Sequence, residues 1–143
     1  MKLKAADIIE VLEKWAPPAL QEEWDNSGLC IGNPGTEVNG ILVCLNCTDQ
    51  VMEEAMALGL NMIVSHHPLI FKGLKHLRDD TPVERTVALA IRRNLVVYSM
   101  HTNADKIMDG VSGAMARALQ LENVTILAPE SCLGIGSGSC GLG

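Results

Sequence analysis

The stretch Met62-Ile63-Val64-Ser65-His66-His67-Pro68 indicates both the fold and the first candidate functional residues. It is a short apolar run that ends in two adjacent histidines. A second apolar run, residues 95–99, leads in the same way into His101-Thr102-Asn103-Ala104-Asp105. The chain has 4 histidines, and three of them follow these two runs. Apolar strands that each end in metal-type ligands are typical of an α/β sheet with a site at its carboxyl edge.

Strand-like and helix-like segments alternate along the chain. This order predicts an α/β fold with βαβ units around a mainly parallel or mixed sheet. Residues 22–37 carry turn signals and are predicted to form a loop. The predicted strands, which are short apolar runs, are residues 41–45, 62–64, 95–99 and 124–127. The predicted helices, which show helical apolar spacing or end signals, are residues 8–15, 49–58, 82–93 and 111–120.

Three predicted helices have a residue at the start that suits an N-cap. The clearest is Thr81-Pro82-Val83-Glu84, with a cap, a proline at the first helical position and a glutamate three residues after the cap. Thr48 and Asp109 are the predicted caps of the preceding and following helices. The run 41–45 is continuously apolar, which predicts a strand buried on both faces.

Composition limits the classes of protein that the chain can represent. At 143 residues it fits one domain, which we assign to residues 1–130 as an α/β metal-binding domain. Residues 131–143 form an uncharged glycine-rich tail, which we interpret as the start of a missing second half. The net charge of −6 argues against a nucleic-acid partner. No apolar run is long enough for a membrane span, and we expect a soluble cytoplasmic protein without a disulfide framework.

The candidate metal ligands are His66, His67, His101 and Asp105. On a regular strand His66 and His67 would point to opposite faces, but at a strand end they can diverge toward two neighbouring ions. The Asp105 carboxylate could bridge a pair of ions about 3.5–4 Å apart, as in two-metal hydrolytic sites. His101 could bind an ion directly or hold that carboxylate. The alternative is that all four are polar residues at strand ends with satisfied hydrogen bonds.

Three motifs make the chain similar to a known family. They are residues 24–29 (WDNSGL), residues 65–74 (SHHPLIFKGL) and residues 101–105 (HTNAD). In this order they resemble the NIF-three-like (Ngg-interacting factor) family, also called GTP cyclohydrolase I type 2 homologues. The resemblance implies an α/β fold of two similar halves, a dinuclear metal site and a toroidal hexamer. It also implies that His66, His67 and Asp105 are ligands, while His101 matches a histidine whose role as a ligand is less settled.

The chain departs from the family pattern in two ways. The family completes its site with a His-x-x-x-Glu pair near the C-terminus, whereas this sequence has no histidine after His101. The resemblance therefore covers the N-terminal half only, and we expect weaker metal binding, little activity and an exposed apolar surface. Asn46 stands where relatives often carry an acidic residue, so we expect a local polar contact to differ.

Two functional hypotheses follow from these residues. The first is a dinuclear metal-dependent hydrolase that acts on a nucleotide or another phosphate-bearing small molecule, with GTP cyclohydrolase type 2-like activity implied by resemblance alone. Lys72 could then stabilise negative charge. The second is a non-catalytic metal-binding scaffold or regulatory interaction protein. In both cases the cofactors are two divalent ions, and histidine ligands favour zinc, iron or manganese over magnesium.

Several other features carry weaker signals. Cys44-Leu45-Asn46-Cys47 has redox-type spacing, but Cys44 belongs to an apolar strand, so we interpret the cysteines as a packed, inert pair. The glycines of 134–138 lack the strand and helix that a phosphate-binding loop needs. Lys72 and Lys75 are interpreted as solvated loop residues, and His76 as an exposed one. Asp25 is interpreted as a turn-former, with a supporting contact to the metal site as the alternative.

Overall fold

The computed structural model describes residues 2–129 and 141–142. Within these residues the centre of the fold is a four-stranded mixed sheet. Its strands are β1 Gly28–Ile31, β2 Ile41–Asn46, β3 Met62–His67 and β4 Val96–Ser99. They lie in the order β1-β4-β3-β2. Strands β2, β3 and β4 are parallel, and β1 runs antiparallel to β4. The prediction of an α/β fold with a mainly parallel or mixed sheet is confirmed.

Helices connect the strands and cover the sheet. They are α1 Ala5–Trp15, α2 Asp49–Ala57, α3 Pro82–Arg92, α4 Thr102–Asp105 and α5 Val111–Ala118, with a short 3₁₀ turn at Pro18–Leu20. The connection from β2 to β3 contains α2, and the connection from β3 to β4 contains α3, so both are βαβ units. In the described part of the chain, no helix combines the length and the apolar character needed to cross a membrane.

The alternation of side chains along the strands divides the core into two clusters. Ile63 and Val97 point to one face, where they pack with residues of α2 and α3 such as Met52 and Val87. The neighbouring strand residues point to the opposite face. The buried residues of that second cluster are Ala5, Ala16, Met62, Val64, Val96, Tyr98, Met100 and Ala104. Because both faces of β3 and β4 are covered, the ends of these two strands have well-defined positions.

Two of the three predicted N-caps are confirmed. The Thr48 side chain accepts a hydrogen bond from the Val51 N–H at 3.4 Å, and Thr81 accepts one from the Glu84 N–H at 3.2 Å. The prediction for Asp109 is wrong, because Gly110 is the N-cap of α5 and makes no side-chain cap. The Asp109 carboxylate instead pairs with the Arg117 guanidinium at 2.8 Å.

Replacing Thr81 by alanine is expected to lower the free energy of unfolding by about 0.5–2 kcal/mol. The reason is that the Glu84 N–H would lose its side-chain partner at the start of α3. The measurement is the midpoint of urea unfolding at constant slope. Thr125→Ala is the control, because Thr125 is exposed and lies outside the helices and strands. Equal midpoints for the two variants would contradict the prediction.

The structure corrects the sequence prediction for residues 22–37, which contain strand β1. Gly32, which follows β1, has φ +105°, and a Cβ there would lie 3.0 Å from the Val96 Cα. This close approach of backbone to backbone requires glycine. A strand of four residues beside such glycines has too little periodicity to stand out in the sequence.

Strand β2 is confirmed in position but not in burial. It lies at the edge of the sheet, and Val43 and Leu45 are 78% and 58% exposed. The prediction that it is buried on both faces is therefore wrong. Helices cover only one face at this edge, where Leu42 and Cys44 pack against the core.

The end of the chain also differs from the prediction. Residues 124–127 do not form a strand. The adjacent pair Ala128–Pro129, here β5, is antiparallel to Gly141–Leu142, here β6. Residues 131–140 and 143 of the glycine-rich tail lie outside the described residues.

The cysteine pair has the properties of packed side chains. Cys44 and Cys47 are free thiols, and Cys47 is buried. Burial, followed by the charges of neighbouring thiols, raises the pKa of the Cys47 thiol to about 12. Because the thiolate is the nucleophilic form, this geometry favours the inert interpretation over a redox role.

Candidate metal centre

The structure brings the three predicted histidines together at the carboxyl edge of the sheet. His66 and His67 end β3, and His101 lies between β4 and α4. One ring nitrogen from each histidine lies within 4.8 Å of the other two. The ring centroids are 5.1 Å apart for His66 and His67, 5.2 Å for His66 and His101, and 5.5 Å for His67 and His101. We call these three residues the histidine cluster.

Each ring of the histidine cluster is oriented by a hydrogen bond at Nδ1. His66 Nδ1 is 2.8 Å from the Met100 carbonyl oxygen, and His67 Nδ1 is 2.7 Å from Asn46 Oδ1. His101 Nδ1 is 2.9 Å from Asp25 Oδ1. All three partners are acceptors, so each Nδ1 carries the hydrogen and donates it. The lone pair that could bind an ion is therefore on Nε2 in each ring.

Asp105 lies beside the histidine cluster, at the end of α4. Its Oδ1 is 3.7 Å from His66 Nε2, and its side chain is 32% exposed. Two ligands about 2.0–2.1 Å from a tetrahedral zinc ion would be about 3.3 Å apart. The separation of His66 and Asp105 is thus close to that of two ligands of one ion. His101 Nδ1 contacts Asp25, so whether His101 binds an ion or holds the Asp105 carboxylate through its other nitrogen stays a prediction.

Asp25 is a central hydrogen-bond acceptor beneath the cluster. Its side chain is 0% exposed. It accepts hydrogen bonds from His101 Nδ1, from the Thr102 N–H at 3.0 Å, from the Thr102 hydroxyl and from Ser27 Oγ at 2.9 Å. Burial by itself would raise the pKa of Asp25, but the bonds from Thr102 and His101 outweigh it and hold the pKa well below its usual range. Asp25 is therefore an ionised partner that orients His101.

Buried polar contacts fix the backbone on both sides of the cluster. The hydroxyls of Ser65 and Ser99 are 3.0 Å apart between the parallel strands, and Ser65 Oγ donates to the His67 carbonyl at 2.9 Å. Asn103 is fully buried. Its Oδ1 accepts from the His101 N–H at 3.0 Å, and its Nδ2 donates to the Ala16 carbonyl at 2.8 Å. The end of β3 is thus attached to β4, and the segment that carries His101 is attached to the end of α1.

Sequence reasoning missed several of these supporting roles. The sequence marks Asn46 only as a departure from relatives with a changed polar contact, yet the β2–β3 register pairs it with His67. For Asp25 the sequence offers a supporting contact only as the alternative to a turn-former. The contact of Asp25 with His101 joins residues 76 positions apart, which local patterns cannot reveal. The Met100 carbonyl is a backbone group and leaves no signal in the sequence.

His76, Asp80 and Glu84 form a second group that could hold an ion. Here the buried Glu84 carboxylate already accepts from the Arg78 N–H at 2.9 Å and the Asp80 N–H at 3.3 Å. His76 Nδ1 is 3.2 Å from Glu84 Oε1 and is 47% exposed. These contacts organise the loop before α3, in agreement with the interpretation of His76 as an exposed loop residue.

The donor set of the histidine cluster and Asp105 fits a divalent metal. Three imidazoles and a carboxylate suit zinc, iron or manganese better than magnesium, which prefers oxygen ligands. Acceptors on the second nitrogen of each ring are the usual partners of metal-binding histidines. The histidine cluster and Asp105 are therefore a candidate metal site on an α/β fold.

Comparisons with known proteins identify the family of the chain. The chain belongs to the Duf34/NIF3 (NGG1p interacting factor 3) family, whose model matches residues 3–143. A relative from Clostridium acetobutylicum, named a GTP cyclohydrolase 1 type 2 homolog, is 38% identical over 131 residues. That alignment covers 92% of this chain and 49% of the relative. The chain thus spans about half the length of that relative.

Solved structures show the same fold. A hypothetical protein of Staphylococcus aureus is 37% identical with a TM-score of 0.86, and the alignment covers 91% of this chain and 43% of that one. A Bacillus cereus protein related to NIF3 is 36% identical with a TM-score of 0.86, and the alignment covers 91% and 36% of the two chains.

Proposed function

We propose that this chain contributes the histidine cluster and Asp105 to a dinuclear metal site, and that the site is the centre of a metal-dependent hydrolase. One observation carries the proposal: each of the three clustered imidazoles has its Nδ1 bonded to an acceptor, which leaves three Nε2 lone pairs for ions. A bound divalent ion would supply a water or hydroxide made acidic enough to react near neutral pH.

The residues of the chain have distinct tasks in this proposal. His66 and His101 would bind ions through Nε2, with the Met100 carbonyl and Asp25 fixing their rings. His67 is more exposed and would bind through a ring held by Asn46. Asp105 would join the two ion positions through its two carboxylate oxygens. Lys72 is exposed directly after residues 65–71 and could bind a negatively charged part of the substrate.

The proposed substrate is a nucleotide or another phosphate-bearing small molecule. The GTP cyclohydrolase name of the relatives is compatible with that class. We further propose two ions of zinc, iron or manganese, a homo-oligomer (a hexamer by family resemblance), a cytoplasmic location and no nucleic-acid partner.

The alternative function is a metal-binding scaffold or regulatory protein without turnover. It rests on the same histidine cluster and Asp105, because such a set of donors could hold an ion for structure or regulation as well as for catalysis.

Metal analysis and turnover assays test the proposal. The 143-residue chain and a full-length relative would be loaded with zinc, manganese or iron, dialysed and analysed for bound ions. Both would then be assayed against nucleotides and simple phosphate esters, with and without chelator. We expect two ions and chelator-sensitive turnover in the relative, and fewer ions and little turnover in this chain. Metal binding by the relative without turnover of any ester would favour the scaffold, and absence of metal from both would overturn the proposal.

Replacing Asn46 by aspartate is expected to strengthen zinc binding by roughly tenfold. A carboxylate accepts a stronger hydrogen bond than an amide, so His67 would become a better electron donor at Nε2. The measurement is competition with a zinc chelator. Asn39→Asp adds the same charge before the start of β2, at the other end of the strand, and is the matched control. An equal gain in both variants would show that net charge is responsible.

A further inference from the structure

Half of the protein's aromatic side chains stand next to the histidine cluster. The chain has two tryptophans, one tyrosine and one phenylalanine. Of these, Trp24 and Phe71 have ring centroids 6.0 Å apart at an angle of 65°. Both are large apolar side chains in contact with solvent, with Trp24 60% and Phe71 46% exposed. We call Trp24 and Phe71 the aromatic pair.

The aromatic pair contacts the histidine cluster through His101. The centroid of the His101 ring is 6.2 Å from that of Trp24 and 6.4 Å from that of Phe71, at angles of 77° and 90°. The same ring is 5.2 Å and 5.5 Å from His66 and His67. His101 therefore contacts both the other two histidines of the cluster and the aromatic pair.

Hydrogen bonds hold the two aromatic segments together. Asn26 Nδ2 donates to the Ile70 carbonyl at 2.6 Å, which joins the residues next to Phe71 to those next to Trp24. Asp25, between Trp24 and Asn26, is held by His101 and Thr102. The ring positions thus follow from a fixed backbone, so the pair is preorganised for contact with a ligand.

The surroundings limit what could cover the aromatic pair. The exposed residues next to it in the sequence are Glu23, Asn26, Lys72 and Gly73, and the nearest other exposed apolar side chain in the sequence is Leu74, which is 36% exposed. An apolar helix or a lipid surface would need a wider apolar area. A planar ring matches an aromatic pair in both size and chemistry, because flat π systems stack on aromatic faces.

We propose that the aromatic pair binds the planar heteroaromatic ring of a small-molecule substrate of the nucleobase type. Contact with this pair would place a carbonyl group of the ring, or a phosphate linked to the ring through a sugar, at the histidine cluster. Lys72, which directly follows Phe71, supplies a positive charge for that group. The placement of the reacting group rests on the proposed hydrolase function, whereas binding of the ring depends on the aromatic pair alone.

Tryptophan fluorescence provides the first test. The Trp15→Phe variant keeps Trp24 as its single tryptophan, and Trp24→Phe keeps Trp15, which is 46% exposed on α1. Each would be titrated with adenosine and guanosine 5′-monophosphate, and with ribose 5-phosphate, which lacks the ring. We expect saturable quenching by the nucleotides in Trp15→Phe, none by ribose 5-phosphate, and none by any of the three in Trp24→Phe.

Equilibrium dialysis of the nucleotides provides the second test. Trp24→Ala and Phe71→Ala are expected to weaken binding by about fivefold to a hundredfold, Trp24→Phe should restore most of it, and Trp15→Ala should leave it unchanged. Because the aromatic pair is exposed, unfolding temperatures should match the wild type. Nucleotide affinity that survives both alanine variants, or equal affinity for ribose 5-phosphate, would overturn the proposal. A change of Trp24 fluorescence with protein concentration in the absence of ligand would also overturn the proposal, because a second copy of the chain would then cover the aromatic pair.

The same titrations separate this proposal from the hydrolase function. They are run with zinc and with chelator, and they need no turnover. Trp24-dependent binding in this chain, together with no turnover of any phosphate ester by the full-length relative, would support the ring site and contradict the hydrolase. Turnover of ring-free esters as fast as nucleotides, unaffected by Trp24→Ala, would support the hydrolase and overturn the ring site.

Discussion

Replacing Asp25 by alanine is expected to lower the free energy of unfolding by about 3–5 kcal/mol. The carboxylate has no exposed surface and accepts bonds from His101, Thr102 and Ser27. Alanine would leave these donors without their acceptor in a part-buried environment, and each lost partner has a desolvation cost. The measurement is urea unfolding in the presence of chelator, so that any change in metal binding does not contribute.

Asp109→Ala is the matched control for this substitution. The Asp109 side chain is 78% exposed and pairs with Arg117 at 2.8 Å. Exposed ion pairs contribute about 0–1 kcal/mol, so this variant should unfold near the wild-type midpoint. A similar midpoint for both variants would show that the Asp25 hydrogen bonds contribute little to the stability of the fold.

Replacing His66 by alanine is expected to reduce zinc affinity by at least roughly a hundredfold. Removal of a residue that only supports a metal ligand lowers affinity by up to about that factor, and removal of a ligand itself should cost at least as much. His66 would provide a ligand whose Nε2 lies 3.7 Å from Asp105, so its removal would leave one side of that ion to water. The measurement is chelator competition with the 143-residue chain. His66→Ala should change the stability of the metal-free protein much less than Asp25→Ala.

His76→Ala is the matched control for zinc binding. It removes the one histidine that lies outside the cluster, and His76 contacts Glu84 instead. Zinc affinity within about twofold of the wild type is expected for this variant. If His76→Ala weakened zinc as much as His66→Ala, the binding site would have to include the loop before α3, and the proposed centre would be wrong.

The elements that could be predicted from the sequence are those with strong local signals. Strand β3 and helix α3 followed from an apolar run and from the spacing of Thr81, Pro82 and Glu84. Strand β1 and the edge position of β2 could not be predicted, because both depend on which strands become neighbours. The antiparallel pairing of β1 with β4 joins residues about 70 positions apart in the sequence, and no local pattern encodes such a pairing.

In the candidate site, too, the residues with local sequence signals could be predicted and those that depend on long-range contacts could not. His66, His67, His101 and Asp105 could be proposed because each follows an apolar run, and parallel strands bring such ends together. The acceptors that orient the rings come from other elements or from the backbone. Asn46 reaches His67 only through the register of β2 with β3, and Asp25 reaches His101 from a segment without helix or strand. Trp24 and Phe71 belong to two of the sequence motifs, but their shared contact with His101 depends on how the folded chain brings these segments together.

The open side of strand β2 has a consequence for assembly. In the described part of the chain β2 pairs only with β3, so its outer backbone groups can accept a further strand. Any strand added there would lie about 4.8 Å from β2. Its end would then be next to Asn46, which holds the ring of His67. A strand that paired with this end of β2 would therefore lie beside the one side chain that orients the ring of His67.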